Sequence, residues 1–163
     1  MEEPGNRADT WFSGELTHEG LPLLLRFPSR PDVESLKDAF PWLVNVTHRL
    51  ASVTDRGLPE KNYNRTLEDF DVAIVGALKE MGQGLTVLVE TFDCLRNYYC
   101  YTANEAAIDQ FQQRITRDYP EHELEWFRKL DKNWNFFRRY STDCNFYPDF
   151  ADEGSKPISN EED

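Results

Sequence analysis

Cysteine is scarce in this chain of 163 residues, which holds only Cys94, Cys100 and Cys144. An odd, sparse set fits a reducing compartment better than a disulfide framework. Long apolar runs are also missing. The longest stretches, Leu23 to Leu25 and Val72 to Leu78 (the latter broken by Gly76), fall far short of the roughly 18 to 20 residues needed to cross a bilayer. The opening residues Met1-Glu2-Glu3-Pro4-Gly5-Asn6 lack the basic and apolar regions of a secretory signal. These absences predict a cytoplasmic protein without membrane contact. The sequons at Asn45 and Asn64 are then chance matches. Positive charge is in deficit: 18 Lys plus Arg face 30 Asp plus Glu, a net charge of -12. That balance argues against nucleic acid and against anionic lipid as partners.

What is present supports a packed core. Hydrophobic residues make up 39% and aromatics 13% of the chain, which rules out full disorder. Residues 1–9 and 148–163 read as a disordered N-terminus and an acidic disordered tail, because neither has enough apolar surface to offset ordering entropy. Within the tail, residues 152–163 carry four units of net negative charge and residues 1–9 carry two, which leaves -6 on residues 10–151. The acidity belongs partly to the folded body, a single α+β domain over residues 10–147.

Apolar periodicity divides that body. Trp11 to Leu16 and Leu21 to Phe27 flank a turn-prone Thr17-His18-Glu19-Gly20 and predict a hairpin. Val33 to Phe40 can form one or two helical turns. Trp42 to Leu50 reads as a strand with Val44, Val46 and His48 on one face and Leu43, Asn45 and Thr47 on the other. A polar loop over 51–65 precedes a helix over 66–81, started by Thr66 with Asp69 and ended by Gly82 and Gly84. Leu85 to Phe92 predicts a central strand, Asp93 to Arg96 a turn and Asn97 to Tyr101 a returning strand. Asn104 caps a second helix with Ala107, Ile108, Phe111 and Ile115 on its buried stripe. Glu121 to Leu130 alternates as a last strand, and the aromatic residues 131–147 fold back over the body. Strand, helix, strand, strand, helix, strand is the ferredoxin-like βαββαβ order. It predicts a two-layer sandwich with an added N-terminal β-hairpin.

The chemistry-bearing patterns are few. GxSxG, P-loop, GxGxxG and HExxH are all missing. His18, His48 and His122 do not gather with acids at metal-ligand spacing. Cys94 stands beside Asp93, which disfavours a thiolate. Glu68, Asp69 and Asp71 suit the dipole at a helix start. No catalytic residue, cofactor or metal is therefore expected. A basic group (Arg128, Lys129, Lys132, Arg138, Arg139) is read as pairing with the chain's own acids. More suggestive is the sheet face opposite the two helices, which can carry Tyr99, Tyr101, Glu123, Glu125 and Phe127. If residues 131–147 cover that face, it becomes a second small core. If they leave it open, it is a surface for a basic protein.

Residues 10–142 resemble a bacterial family, domain of unknown function 695. The resemblance is carried by the early Trp11 with its hairpin, Pro41-Trp42, Gly57-Leu58-Pro59 and Thr66-Leu67-Glu68-Asp69. The Tyr-rich strand after Arg96 and a closing Asp131-x-x-Trp134 complete the series. Members sometimes accompany a domain similar to the ribonuclease E regulator B inhibitors, which implies a binding or inhibitory role. The expectation is thus a non-enzymatic acidic interaction protein that binds a basic protein surface as a regulator or inhibitor of an enzyme or toxin. A small hydrolase with a non-motif site and a self-associating module are the alternatives.

Overall fold

The computed structural model describes residues 10–147. The segments 1–9 and 148–163, expected to be disordered, lie outside the described residues. Among those described, six strands form one sheet: β1 (Trp11–His18), β2 (Leu21–Pro28), β3 (Trp42–Arg49), β4 (Gly84–Phe92), β5 (Leu95–Thr102) and β6 (Leu124–Leu130). They are joined by five helices: α1 (Val33–Leu36), α2 (Lys61–Thr66), α3 (Glu68–Glu80), α4 (Glu105–Asp118) and α5 (Asn135–Asp143). The strand order is β1-β2-β4-β5-β3-β6 with every neighbouring pair antiparallel. The N-terminal hairpin extends the β4 edge through β2, with Leu25 opposite Glu90 and Arg26 opposite Val89.

Local chemistry accounts for most boundaries. The β1–β2 turn is only two residues, Glu19 at φ 54° and Gly20 at φ 81°, so both strands run longer than their apolar cores. The Asn104 side chain caps α4 by accepting from the Ala107 N–H at 2.8 Å. Thr66 does not cap α3. Its hydroxyl donates to the Tyr63 carbonyl at 2.6 Å instead, inside α2, a helix where the polarity of residues 51–65 predicts a loop. Asp93 and Cys94 form a second two-residue turn at φ 51° and 75°. Arg96 therefore lies within β5 rather than in the turn.

The sheet separates two cores. On one face Val44, Val46, Val89, Tyr98 and Cys100 pack against Phe70, Ile74 and Leu78 of α3 and Ile108, Phe111 and Ile115 of α4. On the other face Leu23, Leu25, Leu43, Leu88 and Tyr101 pack against Trp134, Phe137 and Phe146, with Val33 and Leu36 of α1 alongside. The expected two-layer sandwich thus carries a third layer. Residues 131–147 supply it because they hold the aromatic bulk that this apolar face needs for burial.

The closure is built around Asp131. Its carboxylate accepts from the Tyr101 hydroxyl at 2.7 Å and from the backbone N–H groups of Asn135 at 2.9 Å and Phe136 at 3.0 Å. Trp134, left-handed at φ 58°, stacks on Tyr101 with ring centroids 4.1 Å apart and planes 10° from parallel. Its Nε1–H donates to the Phe40 carbonyl at 2.8 Å. Truncating Trp134 to Ala empties the centre of this layer. Urea unfolding should show a loss of about 3–5 kcal/mol. Phe127→Ala, on the solvent side of β6, should change stability by less than about 0.5 kcal/mol.

Candidate functional site

The five residues expected to form a partner surface do share one face. The register places Tyr99, Asn45 and Phe127 in one row and Tyr101, Leu43 and Lys129 in the next, with Glu125 beside Thr47. The third layer then divides them. Tyr101 is fully buried under Trp134, the outcome expected if residues 131–147 cover that face, and so is withdrawn from a partner surface. Tyr99 is half-buried against Phe136, its ring 4.6 Å away. Burial, with the Glu90 charge adding to it, pushes the Tyr99 hydroxyl above its ordinary range. Glu125 and Phe127 remain exposed on β6, an edge strand, with Phe127 at 55%, and Glu123 is exposed just before it. Arg49 reaches Glu123 at 3.4 Å and Glu125 at 3.8 Å. The basic group is dispersed rather than pooled. Arg128 pairs with Asp109 at 2.9 Å and Arg138 with Glu34 at 3.0 Å.

The sequence reading missed a polar row on the helix-covered face. The strand register sets His48, Arg96 and Thr91 side by side, with Tyr98, Val89 and Arg26 in the next row. Helix α2 carries Asn64 to this row. Arg26 forks onto Asp71 of α3, its two terminal nitrogens 3.0 and 2.8 Å from the two carboxylate oxygens. The Tyr98 hydroxyl donates to the same carboxylate at 2.8 Å. Burial alone would raise the Asp71 pKa. The Arg26 fork and charge, the Tyr98 hydroxyl and the nearby Arg96 outweigh it and hold the carboxyl below its ordinary 3.8. Arg26 is shifted upward by the same pair, against the pull of its own burial. Tyr98 is raised by burial and by the Asp71 charge.

Arg96 is only 7% exposed. Its Nε donates to the Thr91 hydroxyl at 2.8 Å and one terminal nitrogen donates to the Asn64 side-chain oxygen at 3.3 Å. Both acceptors are neutral. Two adjoining hollows of about 500 and 270 Å³ share Arg26, Asn64 and Arg96 in their walls. Beside this cleft His48, 1% exposed, packs against Phe70 at 5.0 Å and His122 at 4.9 Å between ring centroids. Its Nδ1 has no hydrogen-bond partner. Burial, then the neighbouring His122 and Arg96, push its pKa down to about 4, with Asp71 pulling weakly the other way. Cys100 is fully buried against Thr86, and burial pushes its thiol up to about 12. Among the described residues, no three His, Cys, Asp or Glu gather where they could hold a metal ion. No helix among them is long and apolar enough to cross a membrane.

Strand alternation could have exposed the missed residues. With Leu23, Leu25 and Phe27 facing one core, Arg26 must face the other. Extending the Tyr98 and Cys100 face backward by one step reaches Arg96.

Fold and site together define an α+β domain with a six-stranded antiparallel sheet, helices on both faces and a polar cleft floored by a buried arginine. The chain belongs to the family of unknown function DUF695, which it matches over residues 17–140, more than half its length. No significant match to a curated protein or to a solved structure was found.

His48 makes the domain pH-sensitive in a defined window. Its folded pKa, about 4, lies below the ordinary 6.5, so the unfolded chain binds the extra proton first. Stability is then full above pH 6.5 and falls as the pH drops toward 4, by about 3 kcal/mol in all. The Asp71 contribution is lost in a separate window, below its ordinary 3.8. Denaturant titrations across this range should show the slope, and His48→Phe should flatten it above pH 4.

Proposed function

We propose that this chain is a non-enzymatic acidic interaction protein, cytoplasmic, that docks on a basic protein surface and regulates or inhibits its partner. The observation that carries the reading is the exposed Phe127 on an edge strand with Glu125 and Glu123 beside it. An unpaired edge offers backbone donors and acceptors for strand addition. An apolar ring within an acidic border suits a partner with Arg or Lys around an apolar pocket. Arg49 now screens the two carboxylates through exposed ion pairs, contacts worth about 0–1 kcal/mol that a partner's cation can replace. The net charge of -6 on residues 10–151 adds long-range steering toward such a partner. Three free cysteines favour the reducing compartment. The order β4-β5-β3-β6 with α3 and α4 on one face supports a ferredoxin-like βαββαβ unit, extended by the N-terminal hairpin. That fold hosts inhibitors and enzymes alike and so does not choose between them.

The test is capture of a partner on the full-length chain, followed by rebinding kinetics with the purified partner. Association should slow at least about tenfold between roughly 0.05 and 0.5 M salt. Combining Glu123→Lys with Glu125→Lys should slow it further at low salt, and Phe127→Ala should speed dissociation. Binding that ignores both salt and the β6 variants overturns the reading.

A further inference from the structure

We infer that the cleft over Arg96 is a carboxylate-binding site. The inference stands apart from the β6 surface, since the cleft lies on the opposite face of the sheet. It begins with an imbalance of charge. A guanidinium carries five N–H donors. In Arg96 two are used, both on neutral oxygens, and no carboxylate lies within ion-pair distance among the described residues. The remaining donors belong to the two terminal nitrogens. The terminal nitrogen that makes no hydrogen bond is not fully enclosed, and Arg96 lines both hollows. A cation this buried is ordinarily paired, and removing it from water without a counter-charge is costly. Asp71, whose charge acts on Arg96, cannot serve as its partner. Asp71 is already gripped by the Arg26 fork and the Tyr98 hydroxyl. Arg26 in turn has its charge committed to Asp71, which leaves Arg96, whose charge reaches Asp71 only at longer range, as the floor cation without an ion pair of its own among the described residues.

The surroundings narrow the ligand. Thr91 and Asn64 hold the Arg96 plane in place, which presents a planar fork suited to bidentate recognition. Glu15 lines the larger hollow and Glu68 the smaller one, so the walls repel a multiply charged anion. One negative charge on a planar group fits, and a phosphate dianion does not. Leu24 and Val89 give the larger hollow an apolar side that would take the carbon skeleton next to the carboxylate. A ligand with cationic groups flanking its carboxylate gains further from the two wall acids. Both a free carboxylic acid and an Asp or Glu side chain within a basic peptide meet these conditions.

The test is NMR titration of the intact chain with four probes: acetate, inorganic phosphate, a terminally blocked Lys-flanked peptide with one Asp, and the same peptide with Asn in its place. Acetate should give saturating shifts centred on Thr91 and Arg96, and phosphate weaker ones. If the carboxylate is borne by a polypeptide, the Asp peptide binds more tightly than acetate and at least about tenfold more tightly than the Asn peptide. If it is a free acid, acetate saturates the site and neither peptide does. Arg96→Gln should abolish the shifts. Because that change is buried, the surface variant Glu15→Gln supplies a second check whose sign cannot come from damage. Removing a wall charge should tighten acetate binding roughly threefold. No shift with either acetate or the Asp peptide, preference for phosphate, or acetate binding unaltered by Glu15→Gln and by folded Arg96→Gln would each overturn the proposal.

Discussion

The two oxygens of Asp131 join the last strand to the last helix. One accepts from the backbone of Asn135, and the other takes both the Tyr101 hydroxyl and the Phe136 N–H. The first turn of α5 thereby gains acceptors for donors that have none within the helix. The negative charge stands at the favourable end of the helix dipole. The same contacts place Trp134 flat on Tyr101 and bring its Nε1–H to the Phe40 carbonyl. A sheet face lined by Leu23, Leu25, Leu43 and Leu88 would otherwise be an apolar surface in water. With the layer in place, Phe127 is left as a large exposed ring at its margin rather than as one member of a broad aromatic platform.

The opposite face reaches its balance differently. Helices α3 and α4 cover its middle with aliphatic and aromatic side chains. Toward the start of α3 the sheet carries His48, Arg96 and Thr91, flanked by the short helix α2 and the first turn of α3. Arg26 and Asp71 solve part of the desolvation problem by pairing, and they also tie the hairpin to α3 across 45 residues of sequence. That tie matters because β1 hydrogen-bonds into the sheet through β2, so hairpin position depends on what β2 holds. A bidentate, partly buried pair fixes orientation as well as distance, which a flexible lysine would not.

Much of this arrangement was legible in the sequence. The hairpin, the 42–50 strand, the Asn104 cap and the α4 stripe follow from period and capping chemistry, and the structure holds them close to where those signals fall. Helix α2 was not legible, because Lys61 to Thr66 buries nothing and so has no apolar period to read. The cleft was missed for a different reason. Reading Asp93 to Arg96 as a four-residue turn removed Arg96 from its strand, although Asp93 and Cys94 alone make the turn with positive φ. The acids at the start of α3 had a sufficient local explanation in the helix dipole. Nothing in local sequence says that Asp71 would face Arg26 and Tyr98 while Asp69 would not. Long-range pairing of polar groups lies beyond periodicity.

An acidic protein that buries a lone arginine is unusual in a way that bears on selection. Acids outnumber bases in this chain, so a carboxylate partner for Arg96 was available at little cost. The structure instead gives Arg96 a hydroxyl and an amide, which hold its plane without cancelling its charge. Neutral supports of this kind leave the electrostatic attraction to be used by something else, whereas an internal ion pair would consume it. The cleft's own acids, Glu15 and Glu68, sit in the walls where they discriminate among arriving anions without neutralising the floor. Fixed donors, an uncancelled charge and a repulsive rim are the features by which a site separates one anion from another. A buried arginine serving only to stabilise the fold would be expected to have the opposite arrangement, with the acid against the guanidinium and the hydroxyl outside.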